Sequence, residues 1–271
     1  MWLLVLAVGA ALFEIVRRTL VDTQNPNLVP ALLLLGATIV PAAFVTFIRG
    51  RRLSFSVGGG TVALIAFVGG VVGITAAGTG EFDALRDLGT LPMLAVGGIE
   101  ESAKLIAPLL VLLFLRHRRP ADGLLIGVAS GAGFAALETM GYAFVALVQS
   151  QGDLHAVDGL LLLRGLLSPA AHMAWTGLTA TALWAAATQH WRLRAVARFV
   201  LTFAVAVVLH ASWDSFASIP AYVVIGLVSL GLLTFATHRL SARERAALAG
   251  SGRLSAGTTT SPRRDLRPSA F

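Results

Sequence analysis

GGIEESAKLIAPLLVLL, residues 97–113, sets two glutamates and a lysine inside a run otherwise apolar enough for the middle of a bilayer. The surroundings are of the same kind. Of 271 residues 56% are apolar and only 13% charged, against about 25% charged in a soluble domain, and the mean hydropathy is +0.79. Apolar runs near 2–16, 28–48, 57–78, 91–115, 122–148, 166–188, 195–217 and 219–237 approach or exceed the roughly 20 helical residues that cross a hydrocarbon core. The expected fold is all-α, a polytopic membrane bundle of about eight transmembrane helices. The first run has no basic residues before it and Arg17–Arg18 after it, the pattern of a retained anchor rather than a cleaved signal.

Arginine sets the orientation. RGRR at 49–52, RHRR at 116–119 and Arg192, Arg194 and Arg198 fall in alternate loops, whereas EFDALRD at 81–87 and the 149–165 loop are mostly acidic. The arginine-rich loops are expected in the cytoplasm, with both termini; Arg17 and Arg18 alone break the pattern. The formal charge of +7 thus reflects topogenic arginines and a basic tail, not a nucleic-acid surface. The absence of cysteine excludes disulfides and thiolate chemistry. From residue 239 the chain turns polar and rich in Ser, Thr, Gly and Arg. The expected organisation is a membrane domain over 1–238 and a disordered basic cytoplasmic tail over 239–271.

Within the later spans the ionisable residues are Glu100, Glu101, Lys104, Glu138, His172, His210 and Asp214. A charged side chain at mid-bilayer costs roughly 2.5–3.5 kcal/mol on insertion scales, so these groups must face one another or a wet cavity. At about 1.5 Å of rise per residue, Glu100 and Glu138 lie roughly 14–15 Å from the outer ends of their spans, and His172 and His210 roughly 9–10 Å. Antiparallel helices therefore bring all four to one layer in the outer half of the membrane.

Spacing adds direction. Residues four apart share a helix face, which pairs Glu100 with Lys104, Phe134 with Glu138 and His210 with Asp214. Lys104 is the only lysine among 21 basic residues, and a compact ammonium there would hold Glu100 ionised. His210 and Asp214 fit either two ligands of one metal or a ligand with the carboxylate that orients it. Such a set supports hydrolysis in one of two ways. Two imidazoles and a carboxylate can hold a divalent metal while a further glutamate takes a proton from water; alternatively Glu100 activates water directly and the histidines stabilise the oxyanion. Small residues four apart in GVASGAGF, 127–134, mark close helix packing.

Taken in order, EESAK at 100–104, FAALE at 134–138, HMAWTG at 172–177 and HASWD at 210–214 resemble the EExxK, FxxxE, histidine and HxxxD motifs of the PrsW family of intramembrane proteases, itself distantly similar to the CAAX prenyl endopeptidase and Abi group. The likeness covers roughly 91–217. It implies an endopeptidase that cleaves a membrane-anchored protein near the outer face, the family's known case being an anti-sigma factor, in the inner plasma membrane of a bacterium. It further implies catalytic Glu100, Glu101 and Lys104, with Glu138, His172, His210 and Asp214 at a divalent metal, zinc being the expected ion. A CAAX endopeptidase would carry histidine where this chain has Glu138. Other intramembrane chemistries lack their motifs: there is no HExxH and no GxGD, and VASG at 128–131 misses the first glycine of GxSG. The rival reading is a proton-coupled transporter or channel, against which the groups form one layer rather than a trail and no inverted repeat is visible. Beyond a membrane-anchored protein substrate and the bilayer itself, no partner is implied.

Overall fold

The computed structural model describes residues 1–115 and 119–257, without the side chains of 248 and 250–257. His117 and its neighbouring arginines at 116 and 118 lie outside the described residues, as does 258–271. Among the described residues there are helices and no strand, as the apolar runs require, since a lipid-exposed backbone must satisfy its own hydrogen bonds.

The helices are α1 (Trp2–Thr23), α2 (Val29–Arg49), α3 (Gly59–Leu88), α4 (Met93–Lys104), α5 (Ile106–Phe114), α6 (Pro120–Gln149), α7 (Leu154–Leu167), α8 (His172–Thr188), α9 (Leu193–Phe216) and α10 (Ile219–Gly257). Among the described residues six helical stretches are long and apolar enough to cross a membrane: Pro26–Arg49, Gly59–Leu88, Pro120–Gln149, Leu154–Thr188, Leu193–Phe216 and Ile219–Ala247. The fold is thus the expected all-α polytopic bundle. The run at 91–115 is divided into α4 and α5, which meet at Leu105. Together they still rise about 33 Å, enough for a core of about 30 Å.

α6 lies at the centre, packed against α8 on one side and α3 on the other. The small residues of 127–134 make this possible. A Cβ at Gly127 would strike the carbonyl of Thr176 on α8, one at Gly131 the carbonyl of His172, and one at Gly133 the carbonyl of Ala66 on α3. Backbones in contact at these points carry the side chains of α6 and α8 into a common layer.

Four local expectations are corrected. The first helix runs to Thr23 instead of ending at 16, which brings Arg17 and Arg18 onto Glu14 at 2.8 and 2.6 Å, with Arg17 also 3.7 Å from Asp158; the pair that broke the arginine pattern is matched by these two carboxylates. α3 continues through EFDALRD to Leu88, closing on Gly89 with φ 67°. The loop expected over 149–165 holds α7, begun by the Asp153 side chain accepting from the His155 amide and sustained by LLLLRGLL. α10 continues to Gly257, carried past 240 by the Ala, Leu, Arg and Glu of SARERAALAG. The arginine-rich ends lie together: Arg119 Nη1 donates to the Ser54 carbonyl at 3.2 Å, and the Ser54 amide to Glu244 at 2.9 Å.

Candidate active site

α4 is pressed against α9 at Gly97, where a Cβ would stand 3.0 Å from the Val207 carbonyl and 3.5 Å from His210 Cβ. One turn further on, Glu100 and Glu101 therefore arrive beside His210. The contact of α6 with α8 at Gly131 does the same for Phe134, Glu138 and His172. All seven ionisable groups named from the sequence meet in one cluster, in which Glu100, Glu101, Lys104, His172 and His210 are buried, Glu138 is partly buried and Asp214 is exposed at the rim.

Its centre is the Lys104 ammonium, fully buried. Nζ donates to Glu101 Oε1 at 2.8 Å and to His172 Nδ1 at 2.8 Å, and lies 3.1 Å from Glu100 Oε2 and 3.5 Å from His210 Nδ1. Phe134 closes the cage with its ring centroid 4.3 Å from Nζ, a cation–π contact strengthened by desolvation. Lysine has no acceptor, so Nδ1 of His172 accepts and Nε2–H is turned to Glu138 Oε2, 2.9 Å away. His210 Nδ1 is 2.9 Å from Glu101 Oε1, while its Nε2 is 3.3 Å from Asp214 and 3.4 Å from Glu100. Glu101, on a different face from Glu100, still reaches the cluster because Lys104 is three residues from one and four from the other. Trp175 stacks on His210 at 4.9 Å and meets Trp213 edge-on at 6.0 Å.

The break in the helix places Lys104. Proline at 108 has no amide to donate to the carbonyl four residues earlier, that of Lys104. Ser130 Oγ on α6 takes the place of that amide at 2.8 Å. Ser130 packs against Gly69, as its small size allows, and its hydroxyl fixes the segment that carries both glutamates and the lysine.

Two members of the site are absent from the motifs. Arg164 Nη2 lies 2.7 Å from Glu138 Oε2 and its guanidinium covers Tyr142 at 4.2 Å. Glu81 lies close to Glu100, brought there by the close approach of Gly80 to Ile99. An arginine in an otherwise acidic stretch between apolar runs was the available signal for Arg164; an acidic residue close after a span was that for Glu81. His155, His190 and His238 are exposed and apart from the cluster.

Glu100, His172 and His210 each offer a ligand atom, all within 4.8 Å of one another and all buried. Glu100 Oε2 and Glu101 Oε2 are buried without a hydrogen bond among the described residues. Two nitrogens and a carboxylate oxygen suit a divalent transition metal, so the donor set fits one. The fit has a condition. Nζ of Lys104 now touches the same donors, and two cations cannot share them in a low-dielectric interior. Glu138 and Asp214 lie outside the three, each against a nitrogen of one histidine.

A family model described as PrsW family intramembrane metalloprotease matches residues 28–237, more than half of the chain and all four motif-bearing segments. No curated protein and no solved structure matches.

Proposed function

Since the chain belongs to the PrsW family of intramembrane metalloproteases, a peptide hydrolase acting within the membrane, we propose that the Lys104-centred cluster is its active site and that the substrate is a single-span, membrane-anchored protein cleaved near the outer face. The observation that carries this reading is the convergence of Glu100, Glu101, His172 and His210 on one buried point. A structural role for any one of these residues would not require the others.

In this reading Glu100, His172 and His210 hold the divalent ion, zinc by the nature of the donors. Glu138 and Asp214, expected as ligands, instead orient the two imidazoles, as carboxylates behind metal-bound histidines do. Arg164 in turn fixes Glu138. When bound, the ion supplies Lewis acidity at the scissile carbonyl. Glu101 serves as general base: with the ion on Glu100, His172 and His210, Lys104 would withdraw from those donors and keep only Glu101 Oε1, which leaves Oε2 free to take a proton from water and later to deliver it to the departing amine. Lys104 keeps the paired glutamates compatible with burial. A helical peptide bond is already hydrogen-bonded and shielded, so the substrate helix must unwind locally before attack.

The alternation of arginine-rich loops supports a topology with both termini in the cytoplasm and the region after residue 238 as a basic cytoplasmic extension of the 1–238 membrane domain, in the inner plasma membrane. By the family's known case the substrate would be of the anti-sigma-factor kind. Cleavage of a panel of single-span reporters in cells tests the proposal, with Glu100→Gln and His210→Ala compared at matched membrane abundance. Loss of cleavage in both variants is expected; cleavage undiminished in both would remove these residues from the site.

A further inference from the structure

We infer that the small cavity beside His172 is the pocket for a substrate side chain next to the cleaved bond, and that it admits only small residues such as glycine, alanine or serine. This deepens the protease reading and rests on it.

The cavity measures about 50 Å³, is partly open and is lined by residues of five helices and the turn before α8, among them Thr139, Arg164, Leu167, Ser168, His172 and Trp213. Its position is decisive. His172 belongs both to this wall and to the buried cluster, so a side chain seated here brings its own backbone against the hydrolytic groups. Size then sets the class of residue. A cavity that takes a benzene ring is about 150 Å³, and a single water needs about 10–15 Å³ of such space. A space of 50 Å³ holds a methyl or hydroxymethyl group and excludes an isobutyl or benzyl one.

The polar lining fits an unwound peptide. Arg164 Nε is buried without a partner among the described residues, although Nη2 of the same side chain is held by Glu138. Unwinding frees backbone carbonyls that need donors in a dry setting, and Nε is a donor at the edge of the pocket. The route in is lateral. Leu163 also lines the cavity, and with Leu162 and Leu166 it is exposed on the outer face of α7, where a lipid-embedded substrate helix can approach.

The test uses the purified full chain in liposomes with single-span reporters. The residues on either side of the cleaved bond are varied among Ala, Ser, Leu and Phe, and products are identified by mass. On one side of the bond, kcat/KM for Ala and Ser is expected to exceed that for Leu and Phe by tenfold or more, the scale on which a full pocket rejects extra methylenes. Leu167→Ala, which enlarges the cavity, should raise the Leu-to-Ala ratio about tenfold; Leu163→Ala on the outer wall is the second variant should the first fail to accumulate. Equal rates for Ala and Phe on both sides, or a ratio unmoved by wall variants that accumulate normally, would overturn the pocket while leaving the protease reading intact. No cleavage of any reporter by any form would overturn both.

Discussion

Ser130 on α6 donates a 2.8 Å hydrogen bond to the carbonyl of Lys104, the acceptor that Pro108 leaves without an amide four residues later. This single contact connects a residue with no chemistry of its own to the lysine at the centre of the site. Ser130→Ala leaves that buried carbonyl unpaired, at a cost of about 1–3 kcal/mol. The expected result is a loss of cleavage of about tenfold or more, with membrane abundance kept. Adding Pro108→Ala returns an amide at 108 and should restore much of the rate. A wild-type rate for Ser130→Ala would show that the break holds its position unaided.

Lys104→Met tests the central cation. It removes the ammonium from between Glu100 and Glu101, and breaking a buried charge pair costs about 3–5 kcal/mol. The variant should therefore melt well below wild type in detergent. Because the same donors suit a divalent ion, added zinc should raise the melting temperature of Lys104→Met more than that of wild type, through preferential binding to the folded state. Equal shifts in the two proteins would show that lysine and metal do not share a position.

The close contacts of α6 give a prediction about folding alone. A Cβ at Gly133 would collide with the Ala66 carbonyl, whereas one at Gly141 on the same helix meets nothing within 4 Å. Gly133→Ala should lose about 1–3 kcal/mol through overpacking, and Gly141→Ala should be neutral or slightly stabilising through helix propensity. Thermal midpoints of the two purified variants decide it.

Metal removal bears on the choice between the two hydrolytic routes. Stripping the purified protein with a membrane-permeant chelator should abolish cleavage, and one equivalent of zinc should restore it. Full activity in protein whose metal content is far below one equivalent would favour water activation by the glutamates alone.

How far the sequence could reveal this architecture depended on the residue type. Glu100, Glu101, Lys104, Glu138, His172, His210 and Asp214 stood out because a bilayer penalises each of them and allows few arrangements. The glycines of 127–134 marked where α6 approaches its neighbours. Arg164 and Glu81 were hidden by their settings. Asp158 and Arg164, with Gly159 and Gly165, lower the hydropathy of 154–167 enough for a helix to look like a loop, and Glu81 followed an apolar run that seemed to end at 78. The break at Leu105 was hidden for the opposite reason: 91–115 is apolar on average, and the Ser130 hydroxyl on the Lys104 carbonyl, which Pro108 leaves without an amide, shows where it divides.

The most direct measurement is cleavage of a purified single-span reporter by the reconstituted protein and by its Glu101→Gln variant, with fragments identified by mass. The account predicts that wild type produces two complementary fragments whose masses sum to the reporter plus one water. It also predicts that Glu101→Gln, folded to the same extent, is slower by about a hundredfold or more, the usual contribution of a general base. A variant that cleaves at the wild-type rate would contradict the assignment of the buried cluster as the place where the peptide bond is broken.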